Sequence, residues 1–155
     1  MNRVEEALAR LGLELPPAPA PLAAYVPVRI AGDLAFVAGQ LPFDGARVTV
    51  TGHVGADVSI EDAAAGCRRA AHQALSAIRD ALGSFDRLVG IAQVTVFVAS
   101  APGFTDQPKV ANGASEALVE VLGDEGRHAR IAVGVTELPL GAAVEVGVVA
   151  ILASA

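Results

Sequence analysis

The sequence predicts an α+β domain: a mixed β-sheet with two helices packed on one of its faces. Three observations lead there. Six stretches are rich in β-branched residues and bounded by Gly or Pro, as strands are. Two longer stretches, 60–82 and 108–122, repeat apolar residues every three or four positions, as helices with one buried side do. The elements follow one another as ββ(β)αβαββ, so right-handed crossovers put the helices on one side of the sheet. The opposite sheet face, rich in small apolar residues, has no helix left to cover it, and burial against other copies of the chain is the obvious solution.

Asn2 precedes a short helical pattern of Val4, Ala7, Leu8 and Leu11, with Asn2 and Glu5 as a capping box and Gly12 as the stop. The run Leu15-Pro16-Pro17-Ala18-Pro19-Ala20-Pro21 cannot continue that helix and is expected to run extended across the surface. The chain is therefore divided into 1–21, a helix with a Pro/Ala-rich segment appended to the domain, and 22–155, the domain itself. Residues 25–30 form the first strand, with Pro27 marking an edge or a start. A hairpin turn at Gly32-Asp33 leads to a second strand over 34–38, closed by Gly39-Gln40-Leu41-Pro42, and 47–51 is a short third strand.

Ser59 opens the first long helix, with Asp62 at the capping-box position, and Gly83 ends it. Its apolar stripe is Ile60, Ala64, Cys67, Ala71, Ala74, Ile78 and Leu82, mostly small, which suits close packing on a sheet. A strand over 89–99 follows. The second helix buries Val110, Ala114, Ala117, Leu118 and Val121, and two strands, 127–135 and 143–152, finish the chain on either side of Leu138-Pro139-Leu140-Gly141.

The 155 residues suit one domain, and 53% hydrophobic against 18% charged describes a folded chain. A mean hydropathy of +0.51 is high for a small monomer and points to a subunit interface. No apolar run reaches the length of a membrane span uninterrupted, and the start of the chain, with Glu5 and Glu6, shows no signal-peptide pattern, so a cytoplasmic protein is expected. The net charge is −6 and Lys109 is the only lysine, which argues against a nucleic-acid partner and leaves small anionic metabolites open.

Two charges stand out because each interrupts an apolar strand: Arg130 and Glu145. Such a charge is costly unless it is paired, solvated in a cleft or used on a ligand, and this pair is read as the chemical centre. Other readings stay open: Arg130 in solvent as the first residue of its strand, Glu145 on an exposed face, or the two joined in a structural bridge. His128, two residues before Arg130, is a further candidate for the same cleft as a general base. His72 falls on the polar side of its helix and is expected to be solvated. Cys67, the only cysteine, falls on the apolar stripe and reads as core. Phosphate-binding loops, dinucleotide fingerprints, serine-nucleophile elbows and metal-ligand spacings of His53, His72 and His128 are all missing, so no cofactor and no metal is called for.

Two motifs carry a resemblance. The pattern Tyr-x-Pro-x4-Gly-x4-Val-Ser-Gly-Gln-x-Pro is met by Tyr25, Pro27, Gly32, Val37, Gly39, Gln40 and Pro42, with Ala38 in place of its Ser. A later pattern, an Arg opening a strand, then Leu-Pro, then Val-Glu-Val, is met by Arg130, Leu138-Pro139 and Val144-Glu145-Val146. From about Tyr25 to Leu152 the chain resembles the reactive intermediate/imine deaminase (RidA, YjgF) family. It most resembles a subgroup that adds an N-terminal helix, the Pro/Ala segment and a loop like that of residues 100–115.

The resemblance implies a chorismate-mutase-like fold assembled as a homotrimeric barrel with clefts between subunits. It implies a hydrolase acting on C=N bonds, turning 2-aminoacrylate-like enamines or 2-imino acids into 2-keto acids and ammonia without a cofactor. It implies roles as well: Arg130 clamps the substrate carboxylate with help from the Ala132 backbone N–H, Glu145 and a backbone group near Gly39 position a water, Tyr25 walls the cleft from a neighbouring subunit, and Asn112 matches an Asn near the site. A planar guanidinium is apt for the clamp because it meets a carboxylate through two parallel hydrogen bonds. Two departures bear on turnover: Ala38 removes a hydroxyl, and Ala132 replaces the Cys of some members. The competing readings are a non-catalytic trimer that binds small carboxylates and regulates, and an endoribonuclease or translation inhibitor, which the acidic charge opposes.

Overall fold

The computed structural model describes residues 2–21 and 23–155, so the expected domain boundary at Leu22 lies outside the described residues. In chain order the elements are α1 (Arg3–Leu11), β1 (Val28–Ala31), β2 (Leu34–Gln40), β3 (Phe43–Asp44), β4 (Arg47–Val48), α2 (Ile60–Leu82), β5 (Leu88–Ala99), α3 (Gln107–Leu122), β6 (Ala129–Val135) and β7 (Val144–Leu152). One five-stranded sheet has the order β1-β2-β7-β5-β6, and β3 and β4 form a small hairpin beside it. Only β5 and β6 run parallel, as a crossover through α3 requires; the other neighbours in the main sheet are antiparallel.

Alternation along the strands separates the two faces. On β7, Val144, Val146, Val148 and Ala150 are buried, and on β5 so are Val94, Val96 and Val98. These residues meet α2 and α3. The other face of the sheet stays open, with Leu34 and Phe36 of β2, Ile131 and Val133 of β6 and Ile151 of β7 exposed across it. That is the uncovered apolar face expected from the element order.

The helices end as their capping residues dictate. The Asn2 side chain accepts the Val4 and Glu5 N–H groups and Glu5 closes the box, while Gly12 stops α1 in the left-handed region. Ser59 Oγ accepts the Asp62 N–H at 3.0 Å. The α2 and α3 backbones approach closely at Gly113, where a methyl group would overlap the Ala64 carbonyl. This contact sets the height of α3 over the sheet, and with it the position of Asn112.

Two expectations are corrected. The third strand is shorter than 47–51: only Arg47–Val48 pairs, against Phe43–Asp44, after a turn at Gly45. Farther on, the Val50 carbonyl accepts the Ala143 N–H at 3.0 Å and Thr51 bridges Ala142, so the rest of the stretch braces the entry to β7. His72 is not solvated but 6% exposed. Leu13, Leu15 and Ala18 pack against the core, and Ser76 Oγ, one helical turn from His72, donates to the Pro16 carbonyl at 2.5 Å. The N-terminal segment thus lies over the side of α2 that sequence alone leaves to water. Cys67 is buried as expected, and burial pushes its thiol up to about 12.

Candidate functional site

The Glu145 region is built on an irregularity in β2. Val37 pairs with Val148 but Gln40 pairs with Val146, so Ala38 and Gly39 together face Gly147 as a β-bulge. The bulge is held by amides: Gln40 Nε2 donates to the Ala38 carbonyl at 2.9 Å, and the buried Gln73 donates to the Leu41 carbonyl at 2.7 Å while accepting the Phe43 N–H at 2.8 Å. Glu145 projects from β7 toward this bulge on the open face of the sheet. A Cβ at Gly39 would overlap Glu145 Oε1, so only glycine leaves the carboxylate this seat.

Glu145 is half-buried, and desolvation raises its carboxyl above the ordinary carboxylate range. Among the described residues no cation lies within ion-pairing distance of it. It borders a cavity of about 590 Å³ that Tyr25, Gly39, Leu41 and Leu140 also line, with Pro19, Ala20 and Pro21 of the N-terminal segment. A second hollow of about 620 Å³ shares Tyr25, Ala38, Gly39 and Glu145 and adds Arg29 and Phe36. Leu140 stands at the rim with φ 58°, a conformation unusual for a residue with a side chain, and is 67% exposed.

Arg130 lies elsewhere. It pairs with Val94 on β5, whereas Glu145 pairs with Phe97, so the two are three residues apart in register with β5 between them. Strand geometry separates their Cα atoms by about 14 Å. They also leave opposite faces, for Arg130 turns to the helix side, where its Nη1 donates to Asn112 Oδ1 at 2.8 Å and Ser115 Oγ at 3.2 Å. Ala132 follows two residues on, packed partly against the core. One chain therefore gathers Tyr25, Gly39 and Glu145 in one place and Arg130, Asn112 and Ala132 in another, and the structural bridge between Arg130 and Glu145 is absent among the described residues.

His128 joins the second group. Its Nδ1 lies 2.6 Å from the Gly126 carbonyl and its Nε2 lies 3.0 Å from Ser115 Oγ. Desolvation keeps the imidazole below its ordinary pKa, against the opposing pull of the Gly126 bond. Among the described residues no three His, Cys, Asp or Glu side chains gather as a metal site requires, and no helix is long and apolar enough to cross a membrane.

Sequence reading missed Arg29, Gln73, Ser115 and the wall formed by Pro19, Ala20 and Pro21. Gln73 carried a signal, an amide on a helix whose other side is alanine. The remaining three acquire meaning only from the chain folded around them.

A sheet open on one face, a bulge seating a carboxylate with no ion-pair partner among the described residues, and a guanidinium on an edge strand define a small α+β protein with hollows at its sheet margin. The chain belongs to the YjgF/RidA family, which includes imine deaminases: a family profile described as YjgF/chorismate mutase-like, with a provisional endoribonuclease assignment, matches residues 5–152. The match begins well before Tyr25 and takes in most of α1. The chain is 46% identical over 146 residues to protein TCP17 of Trypanosoma cruzi, covering 94% of this chain and 91% of that one. It is 31% identical to a candidate endoribonuclease of Shewanella oneidensis, with a TM-score of 0.92 over 97% of this chain and all of that one (100%). Escherichia coli TdcF, solved with bound serine, shares the fold at 21% identity, with a TM-score of 0.60 over 86% of this chain and 92% of that one.

Proposed function

We propose that the protein is an imine deaminase whose site forms between two copies of the chain, hydrolysing 2-imino acids to 2-keto acids and ammonia. The observation that carries this is the division of the site into complementary halves. One half is a half-buried carboxylate with no ion-pair partner among the described residues, the other an exposed guanidinium on the edge strand β6. A trimer that covers the open apolar face would bring Arg130 of one copy to the Glu145 cavity of the next.

In that cleft Arg130 binds the substrate carboxylate and fixes the imine carbon near Glu145. Glu145, with the backbone at Gly39, orients a water and takes its proton as the oxygen attacks the imine carbon. From the protonated imine this gives the carbinolamine; Glu145 returns its proton to the nitrogen, the C–N bond breaks to release ammonia, and the hydroxyl proton passes to Glu145 and on to solvent as the C=O of the keto acid forms. A carboxyl whose pKa is raised by desolvation suits these transfers. Free imines react readily with water, so positioning and charge stabilisation are the enzyme's main tasks. The serine bound by TdcF, an amino acid with the same carboxylate, supports a small carboxylate ligand here.

The test is release of keto acid and ammonia from enzymatically generated 2-iminopropanoate and 2-aminoacrylate. Acceleration by wild type and none by Arg130→Ala, with the variant still folded and oligomeric, is the expected result. Ala38, which takes a hydroxyl out of the cleft, favours a second reading, a carboxylate-binding regulator without turnover. Saturable keto-acid binding with no acceleration of hydrolysis would select it. An endoribonuclease is disfavoured by the −6 net charge, and RNA cleavage that disappears in Arg130→Ala would reinstate it.

A further inference from the structure

Resting on the reading of Arg130 as the carboxylate clamp, we propose that Ser115 and His128 are positioning residues that present only one edge of its guanidinium to the ligand. Nη1 carries two N–H groups, and the structure gives each an acceptor, Asn112 Oδ1 at 2.8 Å and Ser115 Oγ at 3.2 Å. A carboxylate meets arginine through two parallel N–H bonds, from Nη1 and Nη2 end-on or from Nε and Nη2 side-on. With both Nη1 hydrogens engaged, the side-on edge is the one left.

The chain of donors behind Ser115 has a fixed direction. The Gly126 carbonyl only accepts, so His128 Nδ1, 2.6 Å away, carries the proton. In the neutral ring Nε2 is then an acceptor, and at 3.0 Å it takes the Ser115 O–H. That turns the Ser115 lone pairs to Arg130. The far end is anchored as well, because a Cβ at Gly126 would overlap the Leu118 carbonyl of α3, which ties the acceptor to the helix that carries Asn112 and Ser115. Arg130 therefore meets its ligand with its side-chain freedom already removed, which for one rotamer-rich side chain is worth about two- to tenfold in affinity.

The test uses the full chain labelled with 15N. His128 is expected as the Nδ1–H tautomer, and Arg130 Nε–H is expected to be as ordered as the backbone in wild type, loosened in Ser115→Ala and His128→Leu, and restored in Ser115→Thr. Pyruvate affinity is expected to fall about two- to tenfold in Ser115→Ala and to recover in Ser115→Thr, with KM following it and kcat nearly unchanged. An Nε2–H tautomer, or an Arg130 equally ordered in Ser115→Ala, would overturn the proposal. If Arg130→Ala binds pyruvate as wild type does, the clamp reading falls while the tautomer and the order of Arg130 still decide the positioning. If Arg130→Ala loses pyruvate and neither Ser115→Ala nor His128→Leu changes affinity or order, the positioning alone falls.

Discussion

The surroundings of Arg130 and Glu145 are opposites. Nη1 of Arg130 has two acceptors, the serine behind it has a histidine and the histidine has a carbonyl, so a whole polar chain holds one cation. Glu145 sits half-buried in a cavity lined by glycine, proline and leucine, and among the described residues no cation lies within ion-pairing distance of it. The amides nearby, Gln40 and Gln73, tie down the backbone of the bulge and leave the carboxylate alone. On the proposed reading, the fold uses its polar bonds to order the group that binds and withholds them from the group that exchanges a proton. A fully bonded carboxylate would have its pKa held low and would be a poor base for water.

The comparison is broken most decisively by removing either half. Arg130→Ala and Glu145→Gln should each lower imine hydrolysis by about 10²-fold or more, the range for losing an acid-base or charge-stabilising group. Co-expression of the two variants should restore about a quarter of wild-type activity if, as proposed, each cleft of a closed ring draws its two residues from different copies. No recovery would place both residues in clefts of a single chain. Glu145→Gln should also show the cost of its seat. A carboxyl raised in the folded state loses stability as pH climbs through the ordinary carboxylate range and beyond, so the variant should melt higher than wild type at neutral pH, with the gain vanishing in acid.

Gly39→Ala sharpens the same contrast with a single methyl group. The added carbon takes the place of Glu145 Oε1, the movable end of a side chain, so the fold should tolerate it while the carboxylate swings away. A fall in kcat of about tenfold with little change in melting temperature is expected, a 1 Å misplacement being worth that or more. Gly113→Ala attacks the other half through packing. Its methyl group meets the Ala64 carbonyl, a backbone atom that cannot step aside, so α2 and α3 must separate at a cost of about 1–3 kcal/mol in chemical denaturation.

The parts of this arrangement differ in how far sequence reveals them. The sheet and its two helices are legible because periodicity and caps are local, and Arg130 and Glu145 are legible because a charge in an apolar strand is anomalous. The register that sets the two on opposite faces, three residues apart across β5, is written in no local pattern, since it depends on which strands become neighbours. Ser115 looks like an ordinary polar residue until α3 lies over β6, and His128, which sequence marks only as a candidate general base, shows its bond to Ser115 only then. The shortened third strand has the same origin: Val50 and Thr51 have strand-like side chains but meet only the turn before β7.

His72 shows the limit most plainly, and it supplies the smallest of the expected effects. Its helix position marks a solvated face, yet it is buried, one turn from where Ser76 holds the N-terminal segment, and among the described residues its Nε2 has no hydrogen-bond partner. Desolvation, reinforced by the positive charge of Arg68, lowers its pKa, so the folded protein holds the ring neutral. In the unfolded chain the ring takes up a proton below its ordinary value of 6.5. The unfolded state then binds more protons, and stability falls as pH drops through that value. His128 is shifted the same way and adds to the same acid limb. His72→Leu should remove one share of it and relieve an unpartnered nitrogen, with a gain of about 1 kcal/mol at pH 5 that shrinks by pH 8. If the gain has the same size at both pH values, the ring is reached by water and the segment 13–18 does not seal α2 in solution. The Pro19, Ala20 and Pro21 wall of the Glu145 cavity would then be loose as well, because the same stretch of chain runs from the Pro16–Ser76 bond to that wall.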